Sequence, residues 1–240
     1  TFSTAQLDEF KARVPFNARR VRKAHGRSVA GTTWNEDSSG APVGLNDEPK
    51  VQSAEWSYCP SGPSNWSNLS GFFDLCADGE HQSPINVVRG NVERTSQDVS
   101  LQFNYRQADL VLQNDGPSIQ INSDGKSNLK VNGEEYSLLQ ANFHTPSEHL
   151  IDNEPAPMEM HLVHKNQATN KMLILVALMQ EGDAPNAALA QFWDSLPRSK
   201  IVVDLHKKFD INSLVPASAA SHYFHYSGSL TAPPCTENIE

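Results

Sequence analysis

The chain has 240 residues, 38% hydrophobic and 20% charged, enough for one large domain and a further segment. Its longest apolar stretch, Met172 to Met179, has the length of a buried strand and falls well short of the roughly 18 residues a membrane-crossing helix needs. The formal charge is −9, but residues 1–33 carry seven Lys/Arg against Asp8 and Glu9, a surplus of +5 that leaves −14 for the rest and makes nucleic acid an unsuitable partner for the main domain.

Residues 1–55 read as an extended N-terminal arm or linker. Ala5 to Arg13 is predicted as one short helix. Arg19, Arg20, Arg22, Lys23 and Arg27 form a basic run, and Ser28 to Lys50 is rich in Gly, Ser, Pro, Asn and Asp without apolar periodicity. Such a composition cannot bury a core of its own. The expectation is that the arm docks on a protein partner or on an anionic membrane face beside it. The basic run would supply salt-sensitive attraction, and Phe2, Leu7, Phe10 and Phe16 the apolar anchorage. No apolar leader is visible, and a processed N-terminus would look the same.

From Trp56 onward the pattern is mostly β. Alternating runs recur at Leu101–Tyr105, Leu110–Gln113, Ile119–Asn122, Leu129–Val131 and Tyr136–Leu139. Asn114-Asp115-Gly116, Asp124-Gly125 and Asn132-Gly133 punctuate them with tight-turn residues. Longer strands are predicted at Met158–Lys165 and Lys171–Gln180. One helix follows, with Asp183 as its cap, Pro185 in its first turn and Leu189, Phe192 and Trp193 on one face. Many strands with sparse helices imply a mainly antiparallel sheet.

The densest chemistry lies in Gln140-Ala-Asn-Phe-His-Thr-Pro-Ser-Glu-His149 and Glu159-Met-His-Leu-Val-His164. In a strand, residues two apart share a face, so Gln140, Asn142 and His144 line one strand, and Glu159, His161 and Val163 another. If those strands are neighbours, Asn142, His144 and His161 converge, with Gln140 and Glu159 behind them as hydrogen-bond partners, an arrangement that orients metal ligands. Buried histidines that only complete a core are the competing reading, and His149 and His164 are assigned that structural role.

Residues 56–240 resemble the α-carbonic anhydrase family. The resemblance rests on Trp56-Ser-Tyr58, Gly62-Pro63 with Trp66, Gln82-Ser-Pro-Ile-Asn86, the two clusters above, and Tyr226-Ser-Gly-Ser-Leu-Thr-Ala-Pro-Pro-Cys-Thr-Glu237. It implies a mainly β (α+β) fold, a twisted, largely antiparallel sheet of about ten strands with short peripheral helices. It also implies a domain over 56–240 that lacks the family's last strands after Glu240.

In that family three neutral histidines hold Zn²⁺, whose bound water loses a proton near neutral pH. By resemblance His144 and His161 are two of the ligands, and Asn142 stands where the third histidine belongs. An amide oxygen is a far weaker donor to zinc than imidazole nitrogen. The expectation is therefore no catalytic zinc and a structural or protein-binding subunit. The alternative is an active zinc carbonate dehydratase with an altered site. Thr231 and Glu148 match the pair that orients the hydroxide, Gln140 and Glu159 the ligands' supports, and Val163, Ile174 and Leu230 the CO₂ wall. Pro117 replaces the proton-shuttle histidine and Ala232 a polar residue.

The resemblance also implies a Cys76–Cys235 disulfide, hence an oxidising compartment, extracellular or an organelle lumen such as that of the thylakoid. It leaves Cys59 without a partner and implies cis bonds at Ser83-Pro84 and Pro233-Pro234. Asn65-Trp-Ser67 and Asn68-Leu-Ser70 are glycosylation triplets of low information.

Overall fold

The computed structural model describes residues 3–13, 54–58, 62–93, 99–216, 218–219 and 222–240. A helix, α1, spans Thr4–Arg13. The strands are β1 (Asn86–Val87), β2 (Leu101–Asn104), β3 (Ala108–Asn114), β4 (Ile119–Asn122), β5 (Asn128–Val131), β6 (Glu134–His144), β7 (Leu150–Ile151), β8 (Glu154–Pro155), β9 (Met158–Lys165), β10 (Met172–Met179), β11 (Ile201–Phe209), β12 (Gly228–Ser229) and β13 (Glu237–Ile239). Among the described residues ten of them form one sheet, in the order β11-β3-β4-β6-β9-β10-β13-β12, with β2 and β5 continuing from the first half of β6. Its pairings are antiparallel except β10–β13. A small second sheet joins β1, β7 and β8. The expected mainly antiparallel architecture is what the chain adopts.

One face of the main sheet is the core. Leu110 and Leu112 of β3, Ile119 and Ile121 of β4, Ala141 and Phe143 of β6, and Met160 and Leu162 of β9 pack with Leu189, Phe192 and Trp193. Full burial of side chains of this size contributes about 1.5–3 kcal/mol each. The turns between strands fall at the predicted residues: Gly116, Gly125 and Gly133 all have positive φ, the conformation glycine adopts without steric cost. A smaller cluster of Tyr58, Trp66 and Cys235 lies apart, packed with Trp56 and Cys76.

The Cys76–Cys235 disulfide forms, linking residues 159 apart in sequence. Ser83-Pro84 and Pro233-Pro234 are both cis, as is Thr145-Pro146, which was not expected.

Four expectations need correction. The helix predicted from Asp183 is one turn, Ala187–Ala190, capped by Asn186, whose side chain accepts from the Ala188 and Leu189 amides. Pro185 disfavours helical backbone at the residue before it, so the helix starts after the proline. Trp193 belongs to a separate 3₁₀ turn, Trp193–Ser195. The run Tyr136–Leu139 is part of the eleven-residue β6, so it shares a strand with the candidate ligands. Strand β11 escaped prediction because its exposed and half-buried residues, among them Lys207 and Lys208, obscure any alternation.

The fourth correction concerns the arm. Its first part turns back on its own domain: Leu7 is buried in the main core, so it is not an anchor for a partner. The Gln6 carbonyl accepts from Trp193 Nε1 at 2.5 Å, and the Gln6 side chain accepts from the Asn186 amide at 3.0 Å. Phe2, Phe16, Cys59 and the basic run from Arg19 to Arg27 lie outside the described residues.

Candidate functional site

Strands β6 and β9 are neighbours, with Asn142 opposite His161, His144 opposite Glu159 and Gln140 opposite Val163. A register shift between Leu138 and Gln140 sets this alignment. Before it, Tyr136 and Leu138 are the buried residues of β6; after it, the buried apolar residues are Ala141 and Phe143. The strand thus changes which parity faces the core. Without the extra residue Asn142 and His144 would project into the hydrocarbon layer. Next comes β10, with Ile174 opposite Val163 and Val176 opposite His161, which gives the site an apolar flank.

His144 and His161 lie with ring centroids 4.6 Å apart. His144 Nε2 is 3.1 Å from Asn142 Oδ1, and its Nδ1 is 3.0 Å from Glu148 Oε1. Glu148 also accepts from the Tyr58 hydroxyl at 3.1 Å, and its other oxygen is 4.0 Å from His161 Nε2. Both His144 and Glu148 are buried.

Glu159 is wholly buried between two histidines. One oxygen accepts from the His149 backbone amide at 2.9 Å; the other is 2.8 Å from His149 Nδ1 and is hydrogen-bonded to His161 Nε2. Burial pushes the Glu159 carboxyl up, but the hydrogen bonds from His149 and His161, and their charge, more than offset this and hold it far below the usual carboxylate range. The chain of contacts runs outward from there. His149 Nε2 is 2.6 Å from the Tyr226 hydroxyl, which is 2.7 Å from Ser83 Oγ. Burial pushes the Tyr226 phenol up to about 12, so it stays a neutral donor and acceptor.

The expected convergence of Asn142, His144 and His161 is therefore present, and Glu159 stands behind His161 as foreseen. Gln140 does not do the same for Asn142: among the described residues its side chain makes no hydrogen bond. Leu230 and Thr231 lie half-buried in the loop after β12 that Cys235 fastens to Cys76. His149 and His164, assigned structural roles, are both buried; His164 Nε2 is 2.8 Å from the Tyr105 hydroxyl. Sequence reasoning did not find the Tyr58–Glu148 bond or the Ser83–Tyr226–His149 chain. All five residues sit in the quoted motifs, and the signal that could have found them is hydroxyl-bearing residues recurring where buried carboxylates and imidazoles need partners.

Among the described residues two groups of donors are compact enough for a cation: His144, Glu148 and His161, and His149, Glu159 and His161, each with ligand atoms within 4.8 Å of one another.

Residues 61–240 match the sequence profile of eukaryotic-type carbonic anhydrases. A carbonic anhydrase of Neisseria gonorrhoeae is 36% identical over 189 residues, covering 77% of this chain and 71% of that one. One from Nostoc is 33% identical over 229 residues, 92% of this chain and 81% of that one. That match leaves too little of the chain outside it to stop short of residues 1–55, so the arm is not foreign to every relative. Among solved structures, the α-carbonic anhydrase of Thermovibrio ammonificans with sulfanilamide is 32% identical, with a TM-score of 0.70 over 78% of this chain and 81% of that one. Dioscorin complexed with ascorbate is 33% identical, with a TM-score of 0.70 over 77% of this chain and 79% of that one. Sequence and fold agree that the chain belongs to the eukaryotic-type carbonic anhydrase family.

Proposed function

We propose that this is a catalytically impaired member of the family, kept as a structural or protein-binding subunit. Carbonic anhydrases of this family use zinc. The reading rests on one contact, His144 Nε2 to Asn142 Oδ1 at 3.1 Å. An amide oxygen only accepts, so this contact favours the tautomer with its proton on Nε2, in which that nitrogen has no lone pair for a metal. Asn142 both removes a histidine donor and occupies the nitrogen of the next one. The set Asn142, His144 and His161 therefore does not fit a three-histidine zinc centre. The test is metal analysis of the purified chain after dialysis against a mild chelator. The expected result is far less than one zinc per chain and no CO₂ hydration above background; stoichiometric zinc overturns the reading.

A second reading has its own observation. His144 Nδ1 is buried without a hydrogen-bond partner and lies 3.0 Å from Glu148 Oε1. Two imidazoles and a carboxylate form a known zinc donor set, so His144, Glu148 and His161 would hold the ion of an altered but active carbonate dehydratase. Zinc that survives dialysis and is lost in Glu148→Gln would favour it.

The disulfide fits an oxidising compartment, extracellular or an organelle lumen. The partner-binding role is assigned to the basic part of the arm. Since α1 packs on the domain, removing residues from Thr1 would also remove core contacts. The informative deletion is residues 14–33, which should leave the domain folded and free it from its co-purifying partner. Unchanged co-purification would move the interface elsewhere.

A further inference from the structure

Strand β11 is an edge of the main sheet: β3 covers one side, and among the described residues no strand lies on the other. Flat apolar edges template pairing with another chain. The two halves of β11 differ in how they meet this. The second half is guarded. His206 has a φ of 52°, the pairing with β3 shifts register between Asp204 and Lys208, and Lys207 and Lys208 are exposed. The first half pairs without interruption, Ile201 to Asp204 against Asn114 to Val111. It leaves Ile201 51% and Val202 55% exposed.

With Lys200, the residue just before the strand, that half reads Lys200-Ile201-Val202-Val203-Asp204: a cation, three β-branched apolar residues and an anion. Val202 and Asp204 fall on one face and Ile201 and Val203 on the other, and extending the alternation by one residue puts Lys200 with Val202. The segment complements itself when turned end for end. In an antiparallel pair centred on Val202, Lys200 of one copy stands opposite Asp204 of the other, twice by symmetry. Ile201 stands opposite Val203, and Val202 opposite itself. Opposite-charge and β-branched cross-strand pairs are favourable. A slip of one residue breaks both ion pairs, and parallel pairing in the same register sets Lys200 against Lys200 and Asp204 against Asp204.

We propose that the first half of β11 is a self-association edge, through which two copies of this chain pair antiparallel about a two-fold axis at Val202 and join their sheets. Both charged side chains are available for this. Lys200 is 65% exposed and no nearer than 3.9 Å to Glu55; Asp204 is 46% exposed beside His206, and while its Oδ1 accepts from the His206 amide at 2.7 Å, its Oδ2 is left to face a cation across the edge. Five residues a side is small beside the roughly 20–30 of a standard interface, so the dimer is weak, with Kd on the order of 0.1 mM.

The test uses the full chain with Cys59→Ser, which removes the odd thiol. Val202→Cys on that background should give a covalent dimer as the main product of mild oxidation, because directly opposed Cβ atoms lie about 4.5–5.5 Å apart. Asp204→Cys should not, since its two copies stand on either side of the axis. In sedimentation equilibrium without added cysteines, Lys200→Glu should weaken self-association about tenfold, and adding Asp204→Lys should restore it to within about threefold. Equal cross-linking at both positions, failure of the charge swap to recover association, or a strictly monomeric parent chain at about 0.5 mM, several times the Kd expected of so small an interface, each overturns the proposal.

Discussion

His161 and Asn142 face each other across neighbouring strands, yet their surroundings differ. Behind His161 runs an unbroken series of buried partners: Glu159, His149, Tyr226 and Ser83. Behind Asn142 there is no such series; its amide bonds to His144, and Gln140 makes no side-chain hydrogen bond among the described residues. The two positions show that the framework orienting a ligand and the ligand itself can part company. The polar series around Glu159 persists because breaking it strands several buried groups, whereas a half-exposed amide at 142 costs the fold little.

The comparison is sharpened most by Asn142→His. It restores a third imidazole and frees His144 Nε2, so zinc affinity should rise by about 10³ or more, roughly a third of the binding energy of a three-to-four-donor site. Equilibrium dialysis or competition with a chromophoric chelator reads this directly. CO₂ hydration in that variant should stay slow, because Pro117 cannot relay protons. Breaking the supported side should be the next largest effect. Glu159→Ala leaves the His149 amide and two imidazoles buried without their acceptor and should cost about 3–5 kcal/mol in urea unfolding.

Acid should reveal a third difference, at the other end of β9. Burial pushes the His164 imidazole down to about 4 from an ordinary value of 6.5. The unfolded chain therefore takes up this proton first as pH falls. The stability that a neutral His164 lends is complete above pH 6.5 and is lost as pH drops toward 4, about 3 kcal/mol for one fully buried site. His164→Gln should flatten the dependence of unfolding free energy on pH across that window; an unchanged slope would mean that other groups set it. The smallest effect belongs to Gln140→Ala, expected to change stability by less than about 0.5 kcal/mol. A loss as large as that of Glu159→Ala would erase the contrast between the two sides.

Much of this was legible in the sequence because the chemistry is dense and its period is two. Asn142, His144, Glu159 and His161 could be placed on neighbouring strands from spacing and resemblance alone. The register shift before Gln140 could not, since the residues around it carry no distinctive signal and only the change of buried parity exposes it. Strand β11 was hidden for the opposite reason: as an edge strand it buries little, and its lysines read as loop. The packing of α1 was misjudged because a short polar segment of balanced charge gives no hint that one leucine and one glutamine, Leu7 and Gln6, find partners around Trp193 and Asn186.

The disulfide has a consequence for how the molecule holds together once cut. Cys76 and Cys235 close most of the chain into a covalent ring, and β6, β9 and β10, with every buried imidazole of the site, lie inside it. A single backbone cleavage anywhere within that ring opens the circle without dividing the molecule. Fragments separate only after reduction. Tyr58, which donates to Glu148, lies on the tail outside the ring. A protease that nicks the chain just before Cys76 could therefore release that hydroxyl from the site, whereas a nick between β10 and β11 leaves both pieces tied together. The same enzyme acting at two places would thus give a severed product or a merely notched one, and only the first would register on a non-reducing gel.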